Sequence, residues 1–292
     1  MASSRYRRRT RGRRRSARRP GHRSAYVGRR RGFRSGTRAP VLRFAVPLGI
    51  LVAFAVVAYA CARPADTRPL LFINLDRTDS FADVAGDDLD EILIELLEVC
   101  AAERCHVGAD GLTGHSAGDS RVPVEATLEL PGGATEGVDA DTIERQLAAA
   151  TAEEITTALP FDGDIPCSDV ISGFEVALDA MSSFEGDGPR NIVMVTDGWS
   201  NCEPWNLAAA SQTPDGPGAL LDRLRSEGRI PDLEGVTVRF VGGGRTTVPD
   251  VDRPPRIKDF WQAYLEEAGA TLPADWWRTT LGQNLSLDGS GS

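Results

Sequence analysis

Two short apolar runs dominate the pattern of the chain. Residues 70–75 read Leu-Leu-Phe-Ile-Asn-Leu and stop at Asp76, and residues 192–196 read Ile-Val-Met-Val-Thr and stop at Asp197-Gly198. Runs of that length without alternation predict strands covered on both faces. Leu89, Ile92, Leu93, Leu96, Leu97 and Cys100 recur at helical spacing, with Asp87 and Asp88 suiting a positive helix start. Residues 122–130 alternate like a half-buried strand and end at Pro131-Gly132-Gly133. The Ala-rich stretch 141–159 predicts a helix closed by Pro160, and Val170, Ile171, Phe174, Leu178 and Met181 mark another. A helix over 217–227, a strand over 236–241 stopped by Gly242-Gly243-Gly244, and a helix over 257–268 complete the order. Strands alternating with helices predict an α/β fold, a doubly wound, mostly parallel sheet with helices on both faces, spanning 70–287. The Gly-Ser-rich end, 288–292, predicts a disordered tail.

Upstream the pattern changes. Residues 44–62 carry no charge, and a helix of that length spans roughly one hydrocarbon core. The formal net charge of −9 hides an asymmetry: residues 1–43 hold 17 Arg and no acid, while all 42 acids lie beyond them. Dense Arg before the apolar segment predicts a cytoplasmic N-terminus, a single-pass membrane anchor, and a globular domain outside the cytoplasm. Residues 63–69 then read as a linker. The disordered arm, with no base-reading motif, suits anionic lipid headgroups and not specific nucleic-acid binding. Three processing fates remain: an uncleaved anchor, which the long arm favours, cleavage after Ala60, or lipidation on Cys61. Arg30-Arg31-Gly32-Phe33 also resembles part of a twin-arginine signal.

In sheets of this kind the ligand lies beyond the carboxyl ends of the strands. Asp76 and Asp197 both sit there. Asp76-Arg77-Thr78-Asp79-Ser80 places oxygen side chains at every second residue, and Ser168 and Asp169 precede the helix over 169–181. Carboxylates and hydroxyls without sulfur or imidazole form a set for a hard cation, Mg²⁺ or else Mn²⁺ or Ca²⁺. These three segments resemble those of the von Willebrand factor A domains, whose metal-ion-dependent adhesion site uses D-x-S-x-S, a later Thr-Asp element and an Asp after the fourth strand. Thr78 and Ser168 exchange one hydroxyl residue for another. The resemblance implies a non-enzymatic binding module. Its metal would be held by Asp76, Thr78, Ser80, Ser168 and Asp197, with Asp169 and Trp199 on the rim, and would take an exposed Asp or Glu of a partner protein. The alternative is a metal-free scaffolding domain of the cell envelope with a degenerate site.

Two enzyme readings are weaker. Asn74-Leu75-Asp76-Arg77-Thr78 follows a strand as the D-x-D-x-T of haloacid-dehalogenase-like phosphatases does, but an amide stands at the nucleophile, and the one Lys, Lys258, lies far downstream. Gly114-His115-Ser116-Ala117-Gly118 spells a nucleophile elbow, yet its flanks predict neither the strand nor the helix it needs, and no His follows Ser116. The segment therefore reads as a loop, with His106 and His115 as loop polar residues. An exported domain can oxidise its thiols. In the fold proposed, Cys167 and Cys202 lie in loops meeting at one sheet end, and Cys100 and Cys105 lie at one helix end, so the pairs Cys167–Cys202 and Cys100–Cys105 are predicted.

Overall fold

Every residue of β1 (Leu70–Asp76) is buried, as an apolar run at the centre of a sheet requires. The structure is a computed structural model that describes residues 66–85, 88–114, 124–128, 139–184, 186–245, 251–279 and 287. The chain divides into units 1–63 and 64–292, and all described residues belong to the second. The arm 1–43, the apolar segment 44–62, the first linker residues, His115, Ser116 and the tail 288–292 lie outside the described residues. Among those described, no helix is long and apolar enough to cross a membrane.

The elements follow as α1 (Asp79–Ala85), α2 (Asp88–Ala102), β2 (His106–Leu112), β3 (Val124–Thr127) and α3 (Ala140–Ala158). Then come α4 (Val170–Ser182), β4 (Arg190–Val195), α5 (Leu207–Ala210), α6 (Gly216–Ser226), β5 (Val236–Val241), α7 (Arg253–Glu267) and β6 (Trp277–Arg278). The six-stranded sheet runs β3-β2-β1-β4-β5-β6. Of these strands, β3 alone is antiparallel to its neighbour. The order reverses between β1 and β4, the place where such sheets open a crevice for ligands.

Strand parity distributes the core. On β1, Leu70 and Phe72 belong to the core layer shared with α4, α6 and α7, whereas Leu71, Ile73 and Leu75 belong to the layer shared with α1, α2 and α3. On β4, Ile192 and Met194 join the first layer, Val193 and Val195 the second. The first layer centres on aromatics: Trp261 lies 5.9 Å from Phe174 and 5.2 Å from Phe240, ring centre to ring centre. Helices therefore cover both faces of the sheet.

The sequence reading missed β2. Its string, His-Val-Gly-Ala-Asp-Gly-Leu, is broken by an acid and two glycines, which depress strand propensity. Packing explains one glycine: a Cβ on Gly108 would stand 2.8 Å from the ring of Phe72. His106 is thus the first residue of a strand and not a loop residue. A strand also stands before Gly114, so the flanking argument against a nucleophile elbow fails on that side, while the lack of a downstream His remains. The helix α1 and the two-residue β6 were likewise not read from the pattern.

Residues 66–69, read as linker, lie against the domain. Leu70 N–H donates to the Pro189 carbonyl and His106 N–H to the Pro69 carbonyl (both 2.8 Å). The Asp66 carboxylate meets both His106 Nε2 (2.9 Å) and the Arg68 guanidinium. That pairing holds the Asp66 carboxyl well below the usual carboxylate range, Arg68 contributing more than His106.

Candidate functional site

Parity that sorts the core also builds the site. Phe72, Asn74 and Asp76 share one face of β1, and Ile192 and Met194 share the same face of β4, with Thr196 next in that alternation just past its end. Asn74 Nδ2 donates to the Gly173 carbonyl on α4 (3.1 Å). Two residues on, Asp76 meets the segment that starts α4. Its Oδ1 accepts from Thr78 N–H (3.1 Å), Thr78 Oγ1 (2.8 Å) and Ser168 Oγ (2.8 Å). Its Oδ2 accepts from Ser168 Oγ (2.9 Å) and Thr196 Oγ1 (2.8 Å). Three hydroxyls from three chain segments thus close around one buried carboxylate. Thr196 was not among the residues expected there.

Asp197 follows at the end of β4 and is 8% exposed. Its carboxylate accepts from Trp199 N–H (2.9 Å), and Thr196 Oγ1 accepts from Gly198 N–H (3.2 Å). Gly198 has φ +84°, a turn that returns the chain over the strand end at no Cβ cost. Burial first, then the neighbouring Asp76 charge, pushes the Asp197 carboxyl up to about 7. Burial also raises Asp76, against the hydrogen bonds that lower it. Neither acid forms an ion pair among the described residues.

Ser80 lies in the first turn of α1, and its side chain is outside the described set. Asp169 is buried and caps α4, its carboxylate accepting from Ser172 N–H (3.1 Å). Trp199 is buried beneath Arg253, whose guanidinium lies 4.6 Å from the ring centre. The Trp199 indole Nε1 finds no hydrogen-bond partner among the described residues. Cys167 and Cys202 are bonded, Cα atoms 5.2 Å apart, as are Cys100 and Cys105 at 5.1 Å. Both expected pairings are present. The first ties the segment bearing Ser168 to the loop that follows Asp197.

Each of Thr78, Ser168 and Thr196 donates its one hydrogen to Asp76 and keeps lone pairs that suit a hard cation. Asp76, Thr78, Ser168, Thr196 and Asp197 could hold one. Among the described residues there is no group of three or more His, Cys, Asp or Glu that could hold a metal ion. A groove of about 520 Å³ is lined in part by Arg77, Asp164, Cys167 and Glu203, and by none of those five candidate ligands. Arg77 and Cys167 are chain neighbours of Asp76, Thr78 and Ser168.

No protein-family model matches the chain, and no curated protein matches it. Among solved structures, proximal thread matrix protein 1 from the mussel byssus is similar over 76% of this chain, at 13% identity and a TM-score of 0.35. This chain covers 44% of that protein, less than half its length.

Proposed function

We propose that this protein is a non-enzymatic binding module of the von Willebrand factor A type, anchored in the cell membrane by residues 44–62 with its globular domain outside the cytoplasm. At its strand-order reversal it holds a divalent cation, Mg²⁺ in the first instance. The cation takes a carboxylate from a partner protein. What carries this reading is two buried carboxylates beside three hydroxyls, with no cationic side chain among the described residues paired to either. Uncompensated buried charge is costly, and a divalent ion would remove the cost.

The residues present fit a hard cation. Asp76 and Asp197 supply charge, and Thr78, Ser168 and Thr196 supply neutral oxygens; a cation held by so few charges keeps Lewis acidity for an incoming carboxylate. Nothing in this scheme needs a nucleophile or a general base. The groove beside Arg77 and Cys167 offers room for the partner chain that presents the carboxylate.

A second reading is a metal-free scaffold. Its support is that the Asp76 carboxylate already accepts from Thr78, Ser168 and Thr196, so the polar knot can stand by itself. Calorimetric titration of the full-length chain in detergent with Mg²⁺, Mn²⁺ and Ca²⁺ separates the two. Binding heat that vanishes in Asp197→Ala, together with metal-dependent binding of an Asp-containing peptide, supports the module. A wild type blind to all three cations sinks it.

A further inference from the structure

Ser168 holds its hydroxyl on Asp76, and the group that fixes its backbone comes from the other side of the site. Asn201 Oδ1 accepts the Ser168 backbone N–H at 2.6 Å, and the Asn201 backbone N–H donates to the Ser168 carbonyl at 3.0 Å. One residue therefore grips another by both its main-chain groups. Ser200 Oγ adds a long contact to the same carbonyl (3.5 Å), and the Cys167–Cys202 bond staples the two pairs just outside the grip.

Asn201 itself is exposed, so burial does not account for an amide at this position. We propose that Asn201 is the positioning residue of the site: it orients Ser168 so that the hydroxyl stays on the Asp76 carboxylate, coupling the loop after β4 to the loop before α4. The role rests on the metal-binding reading only for its consequence, not for its geometry. Losing the Oδ1 acceptor removes one of the two main-chain holds on Ser168, the Asn201 N–H bond to its carbonyl remaining, and lets the hydroxyl carried on that backbone drift from the carboxylate. The metal site then loses a neutral oxygen without any change in charge. Asn201→Asp keeps an acceptor oxygen at the same place, and so preserves the grip.

Two measurements on the full-length chain decide this. The first needs no metal. In EDTA, hydrogen exchange at the Ser168 amide should quicken about tenfold or more in Asn201→Ala, the scale of one lost hydrogen bond, and stay slow in Asn201→Asp. The second is Mn²⁺ titration, where Asn201→Ala should bind about tenfold more weakly and Asn201→Asp at least as tightly as wild type. Both variants should unfold with wild-type cooperativity. Unchanged Ser168 exchange in Asn201→Ala, or equal acceleration in both variants, overturns the positioning role. A wild type that ignores Mn²⁺ overturns the metal reading instead, and the exchange result still decides whether Asn201 holds Ser168.

Discussion

Trp261 donates its indole Nε1–H to the carbonyl of Gly198 at 2.8 Å, joining the centre of the aromatic core to the turn that carries Asp197. Trp261 is fully buried on α7, and Gly198 is the left-handed residue immediately after the acid. The site loop is thus fastened from beneath by the same side chain that fills the core. Trp261→Phe keeps most of the apolar bulk and removes the donor, leaving the buried Gly198 carbonyl with the longer bond from the Ser200 N–H (3.2 Å). The expected loss is about 2–4 kcal/mol, a lost bond plus a small cavity. Urea unfolding checks it. A loss near zero would mean that the turn stands without the core.

Thr196→Val tests the residue that the sequence reading passed over. Valine keeps the shape but puts a methyl where Thr196 Oγ1 meets Asp76 Oδ2 and Gly198 N–H. Both groups are buried, so the cost should be about 1–3 kcal/mol in unfolding and a weaker Mg²⁺ titration. A variant as stable as wild type that still binds Mg²⁺ normally would remove Thr196 from the site.

Thr196 was legible in principle. Phe72 and Asp76 differ by an even number, as do Ile192 and Thr196, so each polar residue continues the face that its apolar neighbour starts. The unbroken run 192–196 concealed this, because a strand apolar on both faces shows no alternation. Asp76, Ser168 and Asp197 were legible since they end strands or begin a helix, where side chains converge whatever the loops do. β2 was not. Gly108 is chosen by the Phe72 ring it packs against, and such a tertiary reason leaves no period in the string. The grip of Asn201 on Ser168 is less legible still, because it joins residues 33 positions apart through a main-chain group.

The Cys167–Cys202 bond closes a much longer loop than Cys100–Cys105, 35 residues against 5. Chain-entropy arguments give about 4 kcal/mol for the first and about 2 kcal/mol for the second. Paired serine variants should therefore lose unequal stability in denaturant, and only Cys167→Ser/Cys202→Ser should weaken the Mg²⁺ titration. Equal losses of metal binding would separate the staple from the site.

The charge state of the two acids sets a pH dependence. Asp197 is raised to about 7, and Asp76 is raised as well. A carboxyl raised on folding binds its proton more tightly in the folded state, so folding takes up protons. In EDTA the stability should fall as pH rises from the ordinary carboxyl range to about 7, and the contribution of Asp197 should level off above that, where both folded and unfolded states have lost the proton. The slope per acid is at most about 1.4 kcal/mol per pH unit. Urea midpoints at about pH 8 and about pH 5 read it directly, and Asp197→Asn should flatten the difference. A difference that persists in full in the Asp197→Asn variant, or one of opposite sign in wild type, would show that Asp197 is not held up by burial beside Asp76.

The two acids should also fail differently when removed. Asp76 is the acceptor for Thr78, Ser168 and Thr196, so Asp76→Ala strands three hydroxyl donors around a void. Its cost in EDTA should be about 3 kcal/mol or more, the penalty of several unpaired buried groups. Asp197 accepts from the Trp199 N–H and repels Asp76, so Asp197→Ala should unfold at wild-type midpoint or above it in EDTA. Both variants lose the charge that a divalent ion needs, and Mg²⁺ should raise the midpoint of neither, whereas it should raise that of wild type. Asp76 would then be structural and metal-binding at once, Asp197 metal-binding alone. Equal destabilisation by the two substitutions in EDTA would refute that division, because it would mean that Asp197 carries as much of the fold as Asp76 does.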